Sequence, residues 1–211
     1  MSNTTLGITS CFLTLILATA IQGQDLEKVA GRDLAGWSKD LSSPDEIVRL
    51  RAAKSLGPFG KSALDALQQG LEDESPGVRY WSASHLGTLG EEADVAVSRL
   101  NDLKDDEENP AVQMAAAFAL CRIEGTEDNV DLLFERLSYP ERGMACSAAE
   151  FLGRLGPEQG VVAIRPLERA FHANSRTKSS LQLKNPDYHV HGACQNALRQ
   201  IKPDWKPTTP K

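Results

Sequence analysis

The sequence predicts an all-α protein, a right-handed α-solenoid of about five stacked helix–turn–helix units. Three observations predict this fold. A leucine–glycine motif recurs along the chain, small residues precede each copy by three and four positions, and turn-forming residues separate the predicted helices. One such unit cannot bury its apolar face alone, whereas stacked units bury a continuous core.

The recurring motif is Leu-Gly-x-Leu-Gly, and its first leucine is the anchor of each unit. The anchors are spaced 30, 34, 32 and 46 residues apart. They are Leu56, Leu86, Leu120, Leu152 and Leu198. The third copy is degraded and ends at Gly125, and the fifth lacks both glycines. Where the final glycine is present, we expect it to end the helix in a left-handed conformation.

Each motif closes the second helix of its unit. Val78, Ser82, His85 and Leu89 are spaced four, three and four residues apart and therefore share one helical face. We expect His85 to be a packed, hydrogen-bonded core histidine rather than a ligand or base. Shorter amphipathic helices are predicted to precede these second helices, at residues 34–41, 63–71, 93–103, 130–137 and 164–171.

The chain divides into a leader, a repeat array and a tail. The array spans residues 24–202, followed by a proline-rich tail at 203–211. The repeats are expected at about 26–60, 61–90, 91–126, 127–156 and 157–202, the last with a loop insertion at 173–186. Trp205 either caps the exposed end of the last repeat, as terminal repeats require, or belongs to a disordered tail.

Residues 1–23 are expected to be a signal peptide. Residues 1–24 contain no charged side chain, and residues 11–21 form an apolar run. A transmembrane helix needs about 20 residues, so a secretory segment is favoured. Small residues for cleavage follow at Ala18 and Ala20, or at Gly23. No Lys or Arg precedes the run, and an uncleaved N-terminal anchor is the alternative.

Removing the leader leaves Cys121, Cys146 and Cys194. An odd number of cysteines in an exported chain leaves at least one thiol that is free or paired between chains. The simplest interpretation is that all three are small buried hydrophobic residues. The pattern does not decide whether any of them forms a disulfide.

The second unit carries the sequence Asp73-x-Ser75-Pro76-x-Val78-Arg79, followed by Ala83 and the anchor motif. This pattern resembles the HEAT repeat, most closely the short bacterial type called PBS-lyase HEAT-like. The resemblance covers about residues 26–202. It implies a protein-binding solenoid and an ion-pair ladder between the Asp of the turn and the Arg of a second helix, here Asp73 with Arg79 or Arg49. The alternative is that Arg49 and Arg79 line a ligand groove.

A row of side chains is expected to point away from the core, onto the face that is concave in HEAT solenoids. Tyr80 lies about 200° around its helix from Val78. The equivalent positions in neighbouring repeats hold Leu50 and Met114, and Phe118 follows one turn later. Tyr and Met are common interface anchors. Leu50, Tyr80, Met114 and Phe118 are therefore the candidate partner-binding patch, with packing between repeats as the alternative.

Catalytic and cofactor motifs are absent from the sequence. It has no Cys-x-x-Cys, His-Glu-x-x-His, Gly-x-Ser-x-Gly or phosphate-binding glycine loop. Residues 187–191 combine Asp187 with His189 and His191, but two histidines two positions apart on a helix point to different sides. We therefore assign no catalytic residue, no cofactor and no metal ligand.

Charge is unevenly distributed. The chain has 23 Lys+Arg and 29 Asp+Glu, a net charge of −6 that disfavours general nucleic-acid binding. Residues 165–211 carry nine basic and three acidic side chains, a net +6, so residues 24–164 carry −12. Arg176, Lys178 and Lys184, in the irregular loop, are candidates for an electrostatic contact with an acidic partner or anionic surface.

The sequence thus indicates an exported, non-enzymatic scaffold, periplasmic or extracellular, that binds another protein of unidentified nature. Similar bacterial HEAT modules are appended to secreted sulfatases, so the resemblance also implies a role beside an extracytoplasmic hydrolase. Two alternatives remain. One is an enzyme subunit or lyase-like protein of the PBS-lyase type, and the other is a structural spacer in the envelope.

Overall fold

A computed structural model describes residues 28–125, 129–174 and 188–207. Within them the chain forms five successive pairs of helices joined by turns, and this confirms the all-α repeat fold. The helices are α1 (Leu34–Asp40), α2 (Glu46–Leu56), α3 (Leu64–Gly70), α4 (Pro76–Leu89), α5 (Val97–Asp106), α6 (Pro110–Glu124), α7 (Asp131–Leu137), α8 (Arg142–Arg154), a short α9 (Gly156–Gln159), α10 (Ile164–Ala173) and α11 (Tyr188–Ile201). Short 3-10 helices at Gly57–Ala63, Gly90–Ala96 and Gly160–Ala163 connect consecutive pairs.

The predicted turn residues begin the second helices. The side chain of Asp45 accepts a hydrogen bond from the amide of Ile47 at the start of α2, and Asn109 accepts one from Ala111 at the start of α6. A proline occupies the first turn of α4 and of α6, where a missing N–H leaves no partner unpaired. These side-chain caps satisfy amides that have no acceptor within the helix.

The final glycine of each motif has a positive φ, which is 59° at Gly60, 63° at Gly90, 63° at Gly125 and 78° at Gly156. Gly125 adopts the expected left-handed conformation, with ψ of 19°. Gly60 and Gly90 instead have ψ of −139°, a combination that only glycine adopts readily. Glycine is therefore needed at both positions for its backbone conformation.

The second helices α2, α4, α6, α8 and α11 form one continuous layer, in which each helix packs against the next. The small residues that precede the anchors are all buried in it, namely Ala52, Ala53, Ser82, Ala83, Ala116, Ala117, Ala148 and Ala149. Because these side chains are short, the helices approach closely. A Cβ placed on Gly87 of α4 would lie 2.6 Å from the ring of Phe118 in α6.

An indole covers each end of the described array. Trp205 is buried, donates a hydrogen bond to Glu168 at 2.9 Å and packs edge-on against Phe171, with ring centroids 5.2 Å apart. Of the two expectations for Trp205, the cap on the last repeat is therefore the one observed. At the other end, buried Trp37 donates a hydrogen bond to the carbonyl of Val29 at 3.0 Å.

Several predictions concern residues outside the described ranges. The signal peptide at 1–23, most of the loop insertion at 173–186 with Arg176, Lys178 and Lys184, and residues 208–211 of the tail all lie there. None of the helices in the described ranges has the length and hydropathy needed to span a membrane.

Candidate functional site

One face of the second-helix layer carries the residues that the sequence singled out. Successive positions on this face are four residues apart within each helix. We call it the second-helix face, and it comprises Leu50, Lys54, Tyr80, Ser84, Thr88, Met114, Phe118, Arg122, Cys146, Glu150, Arg154, Gly192, Asn196 and Gln200.

The expected four-residue docking patch is not exposed as a unit. Leu50 and Tyr80 are half-buried and pack against the core. Met114 and Phe118 are fully buried, so their assignment as accessible partner-binding residues is wrong. The reason is that α6 is apolar on nearly all sides and lies between α4 and α8. The Phe118 ring stacks on Phe151 of α8 at 5.0 Å.

The arginine ladder implied by the HEAT resemblance is present. Nε of Arg49 donates to Asp73 at 2.8 Å and its Nη2 donates to Glu74 at 2.7 Å. One repeat later, Arg79 donates from Nε and Nη2 to the two carboxylate oxygens of Glu107, both at 2.8 Å. Nη1 of Arg79 also donates to the main-chain oxygen of Asp73 at 2.7 Å. Each arginine therefore ties its own helix to the turn of the following repeat.

The ladder shifts the pKa values of Arg49 and Glu107. The hydrogen bond to Asp73 raises the pKa of Arg49, against the effect of desolvation. Desolvation opposes ionisation of Glu107, but hydrogen bonds from Arg79 and from the amide of Asn109 outweigh it and lower the pKa of that carboxyl. The charges of Arg49 and Arg79 are thus neutralised within the array, which fits a structural role better than a ligand groove.

A partly exposed aromatic cluster lies on and beside the second-helix face. Tyr80 contacts Trp81 edge-on, with ring centroids 5.4 Å apart, and both side chains are half-buried. Nζ of Lys54 lies 5.3 Å from the Trp81 ring, within the range of a cation–π contact. Tyr80 also lies 5.9 Å from Phe151. Burial raises the pKa of Tyr80, with the charge of Glu150 adding to the shift.

His85 is packed as expected. Its ring lies 5.6 Å from Trp81 and against Gly57, where an added Cβ would come within 2.2 Å of Nδ1. Burial and the charge of Arg154 lower the pKa of His85 to about 4, and a hydrogen bond with the backbone of Lys54 partly opposes them. The ring is therefore neutral near pH 7, and its Nε2 is buried with no hydrogen-bond partner among the described residues.

Arg154 is a central residue of the face that the sequence analysis did not single out. Its guanidinium donates to the Ser84 hydroxyl at 2.8 Å, to the Ser84 carbonyl at 3.1 Å and to the Thr88 hydroxyl at 2.9 Å. It also lies 4.5 Å above the Phe118 ring. Within the described part of the chain, no carboxylate forms an ion pair with it, unlike Arg49 and Arg79.

Arg154 borders a cleft of about 340 Å³ between the ends of the second helices. Its lining residues are Thr88, Phe118, Arg122, Gly153, Arg154, Gly156 and Gln200. Thr88, Arg122, Arg154 and Gln200 all lie two residues after an anchor leucine, at the variable position of the motif or its equivalent. Two arginines at this position in consecutive repeats were the signal that could have identified the cleft.

The other candidate groups of the sequence are not assembled into a site. Nδ1 of His191 lies 3.0 Å from the carbonyl of Phe171, on whose ring it stacks, and Asp187 lies outside the described residues. Over the described ranges, no group of three His, Cys, Asp or Glu is placed to hold a metal ion. Cys121, Cys146 and Cys194 form no disulfide within the described part of the chain. Burial raises the pKa of Cys121 and of Cys194 to about 12.

Comparison with known proteins supports the repeat assignment. Residues 34–108, from α1 to just after the end of α5, match the family of HEAT repeats. No curated protein matches the sequence.

Three solved structures are similar along most of the chain. An engineered protein of the Northeast Structural Genomics Consortium is 23% identical, with 93% of this chain and 85% of that chain covered and a TM-score of 0.41. The complex of CpcE and CpcF of phycocyanin lyase from Nostoc sp. PCC7120 is 16% identical, with 92% and 90% covered and a TM-score of 0.44. A second engineered protein is 18% identical, with 82% and 99% covered and a TM-score of 0.40.

Proposed function

We propose that this chain is a protein-binding repeat module without catalytic activity, and that it binds another protein through its second-helix face. The observation that carries the proposal is the half-buried pair Tyr80 and Trp81, which lies beside the exposed Lys54. Tyr and Trp are enriched in the cores of protein interfaces and among the residues that dominate binding energy. Their rings are already held by packing, so little side-chain entropy is lost on binding.

The docking patch is therefore revised. Leu50 and Tyr80 remain in it, whereas Met114 and Phe118 are buried beneath the surface and do not contact the partner. Trp81 and Lys54 replace them at the surface. Arg49 and Arg79 are excluded from direct contact, because the ladder already occupies their guanidinium groups.

The proposal includes export. The uncharged apolar segment at residues 11–21, followed by small residues, supports cleavage of a signal peptide and a partner outside the cytoplasm. The resemblance to bacterial HEAT modules makes an extracytoplasmic hydrolase such as a sulfatase the first partner class to test. Intact-mass measurement of the native protein tests export, with a first residue of Ile21 or Gln24 expected. A cytoplasmic protein that retains residues 1–23 would contradict it.

Partner binding is tested by affinity capture from envelope and secreted fractions with matched variants. The wild-type chain and Ile47→Ala, which removes an exposed apolar side chain on α2, are expected to retain the same partner. The double variant Tyr80→Ala with Trp81→Ala is expected to lose it. Lys54→Glu, a surface change that leaves the aromatic packing in place, should weaken capture if the double variant proves unstable.

The outcomes separate the alternatives. If every variant retains the partner, the second-helix face is not the binding surface. If no variant, including the wild type, captures a protein from either fraction, the envelope-spacer alternative is favoured. If the captured complex has a lyase or transferase activity that requires this chain, the enzyme-subunit alternative replaces the proposal.

A further inference from the structure

The cleft at the ends of the second helices contains an unusual pair of cations. The structural arginines of the ladder, Arg49 and Arg79, are each bonded to a carboxylate. Among the contacts of the described residues, Arg122 and Arg154 instead bond only to neutral acceptors. Arg122 donates from Nη1 to the carbonyl of Leu155 at 3.3 Å and to the side-chain oxygen of Gln159 at 3.1 Å.

The two guanidinium groups influence each other electrostatically. Burial lowers the pKa of Arg154, the charges of Glu150 and Tyr80 oppose this shift, and the charge of Arg122 lowers the pKa by a smaller amount. Glu150, one turn before Arg154, opposes this shift, but it is exposed and forms no ion pair with Arg154 among the described contacts. An anion bound between the two arginines would relieve this repulsion, and it would be bound in a partly desolvated position where charge pairs are stronger than in water.

Both groups keep hydrogen-bond donors for a ligand. A guanidinium has five N–H donors. The described contacts of Arg122 use only Nη1, so its Nη2 and Nε donors have no protein acceptor among the described residues. The contacts of Arg154 use Nη1 once and Nη2 twice, which leaves Nε and one Nη1 donor.

The guanidinium of Arg154 is also held in place before any ligand binds. The hydroxyls of Ser84 and Thr88 accept hydrogen bonds from it, and its Cζ lies 4.5 Å from the centre of the Phe118 ring. The free Nε and Nη1 donors of Arg154 lie on different edges, so it can give a carboxylate one charged hydrogen bond. Arg122 keeps Nε and Nη2, the parallel pair that a carboxylate accepts. Preorganisation lowers the entropy lost on binding.

The size and lining of the cleft favour an organic carboxylate over a small inorganic ion. Its volume of about 340 Å³ is far larger than the ~30 Å³ occupied by one water molecule. Phe118 and Gly153 are buried beneath the cleft, and Gly156 adds backbone surface beside the cations. The net charge of −6 disfavours a nucleic acid.

We propose that this cleft binds the carboxylate of an acidic side chain in an extended peptide segment of the protein partner, with Arg122 and Arg154 as the two recognising groups. The exposed Gln200 amide flanks the arginines and can bond to the peptide main chain, whereas the Thr88 hydroxyl already donates to the Ser84 carbonyl and accepts from Arg154. The proposal rests on the proposed function, because it assigns the chemistry of the partner at the same face. Its test, however, needs no natural partner.

The experiment uses purified ¹⁵N-labelled protein and defined peptides. The Nε–Hε resonances of Arg122 and Arg154 are assigned with the variants Arg122→Gln and Arg154→Gln. The probe is acetyl-Ala-Glu-Ala-Glu-Ala-amide, the neutral control peptide is acetyl-Ala-Gln-Ala-Gln-Ala-amide, and sodium phosphate and sodium sulfate form a third arm. Arg51→Gln is the matched charge control, because Arg51 is exposed on the first repeat.

The acidic peptide is expected to shift both resonances saturably, and the neutral peptide is not. Arg122→Gln and Arg154→Gln should each raise the Kd by about tenfold or more, the usual effect of removing a hydrogen bond between charged groups. Arg51→Gln should leave the Kd unchanged. Circular dichroism of each variant confirms that it is folded, and Arg122→Gln keeps the test available if Arg154→Gln unfolds the chain.

Three outcomes would overturn the inference. The first is the absence of a shift with the acidic peptide. The second is equal loss of affinity in Arg51→Gln, which would indicate nonspecific charge attraction. The third is binding of phosphate or sulfate at least as tightly as the peptide, which would make the cleft an inorganic oxyanion site. If the cleft does not bind the acidic peptide while the Tyr80→Ala, Trp81→Ala variant still loses its partner, the proposed function stands and only the peptide-binding inference is rejected.

Discussion

The guanidinium of Arg154 donates a hydrogen bond to the hydroxyl of Ser84 at 2.8 Å, although 70 residues separate them in the sequence. Arg154 ends the second helix of the fourth repeat and Ser84 lies in that of the second. The Arg154 side chain therefore passes over the Phe118 ring of the third repeat to reach Ser84. In an array where repeats contact mainly their neighbours, this link couples two repeats that are not adjacent.

Replacing Arg154 should reduce stability as well as ligand binding. Arg154→Gln removes bonds to Ser84 and Thr88 and is expected to lower the free energy of unfolding by about 1–3 kcal/mol. Urea unfolding followed by circular dichroism measures the change. Arg165→Gln, on the exposed side of α10, is the control and should differ little from wild type. Equal unfolding midpoints for the two variants would show that the link does not contribute to stability.

The close approach of α4 and α6 predicts a sharp difference between two glycine substitutions. A Cβ at Gly87 would lie 2.6 Å from the Phe118 ring and 2.9 Å from the Cα of Ala119, so Gly87→Ala should cost about 1–3 kcal/mol. A Cβ at Gly143, in the first turn of α8, would meet no atom within 4 Å. Gly143→Ala should be neutral or stabilise by up to about 1 kcal/mol. Thermal unfolding of both variants measures this contrast, which would disappear if the helices were more loosely packed.

The bidentate pair of Arg79 and Glu107 predicts a pH-dependent contribution to stability. Glu107→Gln should lower the free energy of unfolding at pH 7 by about 2 kcal/mol, because the Arg79 guanidinium loses a charged partner. The pKa of Glu107 is lowered from 4.5 in the folded state. Its contribution is therefore complete above about pH 4.5 and is lost as the pH falls through the lower, folded value.

Urea unfolding of Glu107→Gln and wild type at a series of pH values checks this dependence. The difference between them should be largest at pH 7 and should shrink in acid. Glu108→Gln, at an exposed neighbouring position, should show almost no difference at any pH. A difference for Glu107→Gln that is independent of pH would argue that shape rather than charge is responsible.

The buried ring of His85 predicts a second titration, at higher pH. Its folded pKa of about 4 lies below the ordinary value of 6.5. Protonation of the ring is therefore less favourable in the folded than in the unfolded chain, and the folded state is more stable while the ring is neutral. This contribution is complete above pH 6.5 and is lost as the pH falls towards 4. NMR titration of the ring resonances should give a midpoint near 4. A midpoint near 6.5 would mean that the ring is solvated and that the aromatic cluster beside it is open.

Thiol reactivity tests the burial of the second-helix layer. Because their pKa values are raised to about 12, Cys121 and Cys194 should remain as thiols at pH 8 and react very slowly with iodoacetamide in the folded protein. Both should react fully in guanidinium chloride. Mass spectrometry of the peptides separates the sites, and Cys146, which is only partly buried, serves as the internal comparison. Rapid labelling of Cys194 in the folded protein would show that α8 and α11 separate readily.

The sequence by itself determined the repeat architecture. Anchors at regular spacing, small residues at constant offsets, and Asp, Asn and Pro in the turns are local signals. Their consequences are fixed by helical periodicity and capping, so the helices around Leu86 could be predicted. The ladder was implied by the resemblance to HEAT repeats, which left open whether Arg49 or Arg79 pairs with Asp73.

Only the tertiary structure decided which outward positions are covered. Tyr80 and Met114 are equivalent in the repeat, yet Tyr80 stays partly exposed while Met114 is buried. Periodicity along one helix reports the direction of a side chain but not the distance to the next helix. That distance depends on residues in different repeats, here on the missing side chain of Gly87 and on the volume of the Phe118 ring that packs against it. The meeting of Arg154 with Ser84 depends on the same packing and could not be read from either helix alone.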